Sequence, residues 1–126
     1  MSRLGEIENI LKNRIMILDG GMGNMIQDNI LKENKTELLD LRSNGYTQRF
    51  NPDILSLTRP ELIKQIHLQY LQAGADIIST NTFSANPIDQ SRFSSSRQVN
   101  EMNMVSVEIA KNAISDYYKS NPGKPK

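Results

Sequence analysis

The feature that most constrains this chain is a short apolar run, residues 15–18, that ends at Asp19 and is followed by three glycines within four positions. A run of this kind is typical of a buried strand. Glycines at its end allow the backbone to turn sharply or to be approached closely, because they carry no side chain. The pattern therefore predicts a strand, a tight turn through Gly20 and Gly21, and a helix over 22–31.

Composition bounds the class of protein. The chain has 126 residues, of which 37% are hydrophobic and 23% are charged, and its net charge is +1. This length is enough for one domain with a core, and the balanced charge predicts neither a nucleic-acid nor a membrane partner. Because no apolar run reaches the roughly 18 residues of a membrane span and the N-terminus lacks a signal-peptide core, we predict a cytoplasmic protein.

The sequence contains no cysteine and one histidine, His67. Disulfides, a cysteine nucleophile and a thiolate metal site are therefore excluded within these residues. A single histidine on a helix that faces a sheet is more often structural than catalytic, so we interpret His67 as a structural residue. We predict no metal ligand and no catalytic residue in this chain.

Three further helices are predicted from the spacing of apolar residues. They cover residues 4–13, 60–73 and about 96–119. Thr58 and Glu61 have the spacing of a capping box, and Gly74 is expected to end the second of these helices. The polar region 32–50 is predicted to be a loop with one helical fragment, 36–42.

The segment 75–83, which is rich in β-branched residues, predicts a second strand. Strands that alternate with helices indicate an α/β fold with parallel strands and right-handed crossovers. Two strands alone would leave both edges unpaired, so the topology is interpreted as the opening of a larger α/β fold. Residues 121–126 have the composition of a linker.

Polar groups follow both predicted strands. At the first, the carboxylate of Asp19 and the N–H groups of the glycine turn would suit the ammonium and carboxylate of an amino acid. The alternative is a tight turn in which Asp19 caps the next helix. At the second, Ser79 to Phe83 concentrate hydrogen-bonding side chains, which could bind a ligand or satisfy one another.

Two segments carry a resemblance to a known family: "ILDGGMGNMIQ" (17–27) and "LTRPELIKQIHLQYLQAGADIISTNTF" (57–83). They resemble the N-terminal homocysteine-binding module of the cobalamin-dependent methionine synthases, which belong to the homocysteine S-methyltransferase family. The resemblance implies a (β/α)₈ TIM barrel, of which residues 1–126 would supply the first two β/α units, an incomplete barrel with a linker-like tail.

The resemblance also implies an activity, in which the zinc-bound thiolate of homocysteine takes a methyl group from methylcobalamin to give methionine. By this resemblance Asp19 would contact the amino group of homocysteine, and the N–H groups around Gly20 would meet its carboxylate. The substrate-binding residues implied are Asp19, Gly20, Gly21, Met22, Ser79 and Asn81.

The chain departs from the family in two ways that matter for activity. The family usually has glutamate at the position of Ser79, and its three zinc-binding cysteines are absent here. Zinc and cobalamin are therefore expected in the full family enzyme and not on this chain alone, which we expect to be inactive in isolation. One alternative is a non-catalytic chain that associates with itself, or with a complementary chain such as the remainder of the barrel. Another is a homocysteine methyltransferase that depends on betaine or methylmethionine and shares the barrel, although "GGMG" and "AGADIISTNTF" favour the cobalamin type.

Overall fold

The computed structural model describes residues 2–32 and 51–123. Helices make up 69% of these residues. The α-helices are α1 (Arg3–Leu11), α2 (Met22–Lys32), α3 (Leu55–Thr58), α4 (Pro60–Gln72), α5 (Pro87–Gln90) and α6 (Val99–Ser120). Short 3₁₀ turns cover Pro52–Ile54, Ser91–Phe93 and Ser96–Gln98.

The four helices predicted from periodicity are confirmed as α1, α2, α4 and α6, with ends that differ by a few residues. Gly74 follows α4 with a φ of 108°, a left-handed conformation that favours glycine, so the predicted stop is confirmed. The predicted capping box is wrong. Thr58 ends α3, its hydroxyl donates to the carbonyl of Ile54 (3.3 Å), and Arg59 precedes α4 without a side-chain cap.

The core forms where α4 packs against α2 and α6, with α3 filling the space between α4 and α6. Its side chains are aliphatic, and each contributes roughly 1.5–3 kcal/mol when it is fully buried. The cluster consists of Ile26, Ile30, Leu55, Leu62, Ile63, Ile66 and Ile109. By contrast α1 buries no residue, so the apolar stripe predicted for it does not join this core.

The expected α/β fold class, with two β/α units of a TIM barrel, is wrong, because the described residues contain no strand and no sheet. The segments 15–18 and 75–83, which were expected to be strands, meet in an isolated parallel bridge between Leu18 and Ile77. The chain is helical over most of its described length, and the two segments are extended connections between helices.

Side-chain carboxylates end this pairing on both sides of the bridge. On one side the N–H of Ser79 donates to Asp19 Oδ2 (2.8 Å), and on the other the N–H of Ile17 donates to Asp76 Oδ2 (2.9 Å). Arg14 holds Asp76 with two further hydrogen bonds, of 2.9 and 2.7 Å. A ladder would need backbone carbonyls at these positions. Ile17 also stays 57% exposed, unlike a residue of a buried parallel strand.

Three predictions concern residues that lie wholly or partly outside the described ranges. They are the loop 32–50, its helical fragment 36–42 and the end of the linker-like tail, 124–126. The assignment of residues 1–126 to one unit stays a prediction.

Candidate functional site

The carboxylate of Asp19 lies where the chain leaves the bridge, and it is oriented by Ser79. The predicted tight turn through Gly20 and Gly21 is wrong, because residues 19–21 form neither a regular turn nor a bend. The connection from Asp19 to Met22 is called the glycine turn. The N–H of Ser79 donates to one carboxylate oxygen (2.8 Å), and the Ser79 hydroxyl donates to the other (3.2 Å). Two predicted site residues, 60 positions apart in the chain, are thus brought together. A carboxylate offers about four acceptor positions, so Asp19 can accept further hydrogen bonds from a ligand.

The N–H groups of the turn are available beside this carboxylate. Those of Gly20, Gly21 and Met22 donate to no acceptor in the part of the chain that the structure describes. They stand at the beginning of α2, whose own first turn carries no acidic side chain. This arrangement favours a ligand carboxylate over the reading in which Asp19 caps α2.

Tyr70 of α4 ties the turn to the helical core. Its hydroxyl donates to the carbonyl of Gly21 (2.9 Å). A Cβ added at Gly20 would lie 2.9 Å from the same hydroxyl oxygen, so the glycine is needed for this close approach. Burial raises the pKa of Tyr70, and the negative charge of Asp19 raises it further. The Tyr70 hydroxyl therefore stays neutral and donates its hydrogen bond to the carbonyl of Gly21.

Sequence reasoning missed the hydroxyl of Tyr70, because helical periodicity only places the residue on the apolar face of α4. A signal was present. A tyrosine on a core-facing stripe needs a partner for its hydroxyl, and an exposed backbone carbonyl in a nearby glycine turn can provide one. The pairing itself depends on how α4 packs against the turn.

His67 lies one turn before Tyr70 on α4 and is fully buried. Neither ring nitrogen has a hydrogen-bond partner among the described residues. Burial lowers the pKa of His67, while the charge of Asp19 acts in the opposite direction. The imidazole is therefore neutral at pH 7, and the negative charge of Asp19 acts on it electrostatically.

Asn81 is placed apart from Asp19, in a buried polar network. Its side-chain amide donates to the carbonyl of Pro52 (2.8 Å) and to the hydroxyl of Ser56 (3.1 Å). The hydroxyl oxygen of Ser106 on α6 lies 3.0 Å from the Ser56 hydroxyl and 3.3 Å from the carbonyl of Asn81, so its single proton can be donated to either of them. The donors of this side chain serve the packing of the loop against α3 and α6.

The residues present do not fit a zinc site. The sequence has no cysteine and one histidine, and that histidine is enclosed in the core. Across residues 2–32 and 51–123, no group of three or more histidine, cysteine, aspartate or glutamate side chains could hold a metal ion. The carboxylate of Asp19 accepts a hydrogen bond from Ser79, and that of Asp76 accepts one from Arg14, so both already have partners in the protein.

Among the described helices, none is both long and apolar enough to cross a bilayer. The cytoplasmic location stays a prediction. The longest helix, α6, carries polar and charged side chains along its length, including Glu101, Glu108 and Lys111.

Comparison with known families matches most of the chain. A family model described as homocysteine S-methyltransferase covers residues 16–124. The match begins within the apolar run that precedes Asp19 and includes the glycine turn, α4 and Ser79. Because the match spans well over half of the sequence, this chain belongs to the homocysteine S-methyltransferase family.

Proposed function

We propose that this chain binds the amino-acid head group of homocysteine at the turn from Asp19 to Met22, as part of methyl transfer to homocysteine. The observation that carries the proposal is the pairing of an oriented carboxylate with unengaged N–H groups at the start of α2. An α-amino acid presents an ammonium and a carboxylate a few ångströms apart. The turn offers a partner of the right kind for each.

In this proposal the ammonium donates to the oxygens of Asp19, in charge-assisted hydrogen bonds. The ligand carboxylate accepts from the N–H groups of Gly20, Gly21 and Met22. Ser79 acts as a positioning residue, since its two hydrogen bonds hold the Asp19 carboxylate in place. A shorter serine in place of the usual glutamate thus still takes part in the site, through Asp19. A substrate-binding role of Asn81 stays a prediction.

The reaction type proposed is that of the cobalamin-dependent methionine synthases, with zinc and cobalamin as the cofactors. The residues of this chain do not fit zinc, so we derive no step through the metal. We propose instead that activation of the thiol depends on groups that are not in this sequence. The chain by itself is then expected to bind the head group of homocysteine without transferring a methyl group.

The experiment that tests this function is calorimetric titration of the full chain with L-homocysteine. Replacing Asp19 with asparagine removes the charge that faces the ammonium, and we expect the affinity to fall about tenfold or more. Asp28→Asn, an exposed change on α2, is the matched control and is expected to leave the affinity unchanged. Equal affinity of the Asp19→Asn variant and the parent chain would contradict the proposal.

A ligand series sharpens the same experiment. The analogue 4-mercaptobutanoate keeps the thiol and the carboxylate of homocysteine but lacks the ammonium. We expect the parent chain to bind this analogue more weakly than homocysteine. We expect the Asp19→Asn variant to bind the analogue and homocysteine with equal affinity. A preference that persists in the variant would place the ammonium elsewhere.

A second candidate function is association with another copy of this chain. The observation in its favour is the exposure of apolar side chains on the segment before the glycine turn. Ile15 is 84% exposed, Ile17 57% and Leu18 60%. Clustered exposure of this kind marks interaction surfaces.

A further inference from the structure

His67 is the one histidine of the chain, and the proposed site does not yet account for it. Its side chain has no exposed surface, and both ring nitrogens lack hydrogen-bond partners among the described residues. A buried donor or acceptor left unpaired destabilises the folded state, and a neutral imidazole has one of each. Such a cost at a single position calls for a physical reason.

The position of His67 points to the glycine turn. On α4 it precedes Tyr70 by three residues, so the two side chains lie on the same face of the helix. The hydroxyl of Tyr70 reaches Gly21, and the ring of Tyr70 contacts Gly20. The charge of Asp19 acts on both His67 and Tyr70. The unpaired imidazole therefore lies next to Tyr70, on the face of α4 whose tyrosine meets the turn that we propose as the amino-acid site.

Packing alone does not explain a histidine at this place. Its neighbours Ile63 and Ile66 on α4 are fully buried aliphatic residues. A phenylalanine or leucine would fill similar volume without leaving polar atoms unpaired. The cost of burying an unpaired polar ring has a physical reason if a bound ligand supplies the missing hydrogen-bond partner.

We propose that His67 is a binding residue of the amino-acid site, and that its ring N–H donates a hydrogen bond to the carboxylate of the bound amino acid. The inference rests on the proposed function. The ligand carboxylate accepts hydrogen bonds and so needs N–H donors. The ligand ammonium already donates its hydrogen bonds to Asp19. The imidazole then joins the N–H groups of Gly20 to Met22 around the same carboxylate.

Because the ring is enclosed, the ligand reaches it when the turn moves aside. The turn is suited to this, since two of its four residues, Gly20 and Gly21, are glycine and change their backbone angles at low steric cost. Tyr70 ties the turn to α4 through its hydroxyl, and Met22 packs against the core cluster to which α4 contributes. Binding would replace the Tyr70 contact with hydrogen bonds between the ligand and α4.

The test compares His67→Phe with the parent chain in two measurements, affinity for L-homocysteine and the urea midpoint of unfolding. The phenylalanine removes both unpaired nitrogens and keeps the volume, so we expect stability to be equal or higher. We expect the affinity to fall about tenfold or more. A structural role alone would give the opposite result, with affinity preserved.

Conservative variants extend this test. The amide N–H of glutamine can take the place of ring Nε2, and that of asparagine can take the place of Nδ1. We expect one of His67→Gln and His67→Asn to recover most of the affinity lost in His67→Phe, which identifies the donating nitrogen. Failure of both, in variants that remain folded by circular dichroism, would overturn the proposal.

Nuclear magnetic resonance provides an independent readout. With one histidine in the sequence, ¹⁵N-histidine labelling yields a single pair of ring nitrogen signals. Saturating L-homocysteine is expected to shift the protonated nitrogen, whereas L-threonine methyl ester, which lacks a carboxylate, is expected to leave it in place. Ring signals unchanged by bound homocysteine would overturn the proposal.

The outcomes separate the two proposals. If the parent chain binds homocysteine and His67→Phe binds it equally well, the role of His67 is refuted and the site at Asp19 stands. If the parent chain binds no homocysteine, the proposed function is refuted, and the role of His67 falls with it. Loss of affinity in His67→Phe together with retained stability supports both.

Discussion

The contact between Gly20 and Tyr70 shows how a single missing side chain shapes the candidate site. A Cβ at position 20 would lie 2.9 Å from Tyr70 Oη and 3.2 Å from Cε1. Both distances are shorter than an ordinary van der Waals contact. The hydrogen bond from Tyr70 to the carbonyl of Gly21 holds the aromatic ring where this conflict arises.

Replacing Gly20 with alanine is therefore expected to displace Tyr70 and to lower the free energy of unfolding by about 1–3 kcal/mol. Gly23→Ala is the matched control. A Cβ there meets nothing within 4 Å, and position 23 lies in α2, where alanine is preferred over glycine by about 0.5–1 kcal/mol. Urea unfolding of both variants measures the difference. Equal stability of the two variants would contradict the close packing of Tyr70.

Asn81 illustrates a residue whose side chain has a structural task. Its amide donates to Pro52 and Ser56, and it is 4% exposed. We expect Asn81→Ala to lower the free energy of unfolding by about 1–3 kcal/mol, because it leaves buried acceptors unpaired. Urea unfolding checks this, with Asn112→Ala, an exposed change on α6, as the control. An unchanged midpoint would show that water replaces the lost bonds.

At the scale of elements, the connection between the two extended segments depends on Asp76. Its carboxylate accepts two hydrogen bonds from Arg14 and Ile17 at Oδ2 and a third from Arg14 at Oδ1. These donors, Arg14 first, lower the pKa of Asp76 from 3.8 to about 2. The folded state therefore favours the charged carboxylate more than the unfolded chain does.

The sign of the pH dependence follows from this shift. A carboxyl whose pKa is lower in the folded state stabilises the fold above its unfolded pKa, and that stabilisation is lost as the pH falls from about 4 to about 2. We expect Asp76→Asn to be less stable than the parent at pH 7 and to lose less stability across this window. Urea midpoints measured from pH 2 to pH 7 test this, with Glu108→Gln, an exposed change on α6, as the control. Parallel curves for Asp76→Asn and the parent would refute it.

Helices could be predicted from the sequence where the residues that define them are close together in the chain. In α4, apolar residues recur at helical spacing, Pro60 occupies the first position, and Gly74 follows the last turn. The prediction of a capping box was wrong, because Thr58 is the last residue of the short preceding helix α3 and does not cap α4. Local preference at one residue gave way to the packing of α3 against α4 and α6.

At the scale of the whole molecule, the described residues combine a closed helical core with exposed apolar side chains beside it. The exposed side chains of Ile15, Ile17 and Leu18 come just before the glycine turn and are not part of the buried cluster around Ile63. A second copy of the chain could cover this segment, as the second candidate function requires.

We expect the molar mass measured by light scattering to rise above 14.3 kDa as the protein concentration increases. Ile15→Lys, which places a charge on the exposed segment, is expected to reduce this rise. Ile88→Lys is the matched control, since Ile88 is 80% exposed but lies on α5. A constant monomer mass across the concentration range would contradict self-association.

The sequence by itself determined the positions of α2, α4 and α6 and the family, because these depend on residue spacing along the chain. The tertiary structure alone decided that the extended segments stop at one bridge, since the carboxylates of Asp19 and Asp76 take the hydrogen bonds that a sheet would need. It also decided which side chains surround the turn. Ser79 and Tyr70 lie far from Asp19 in sequence, and contacts at such separation arise from packing between elements.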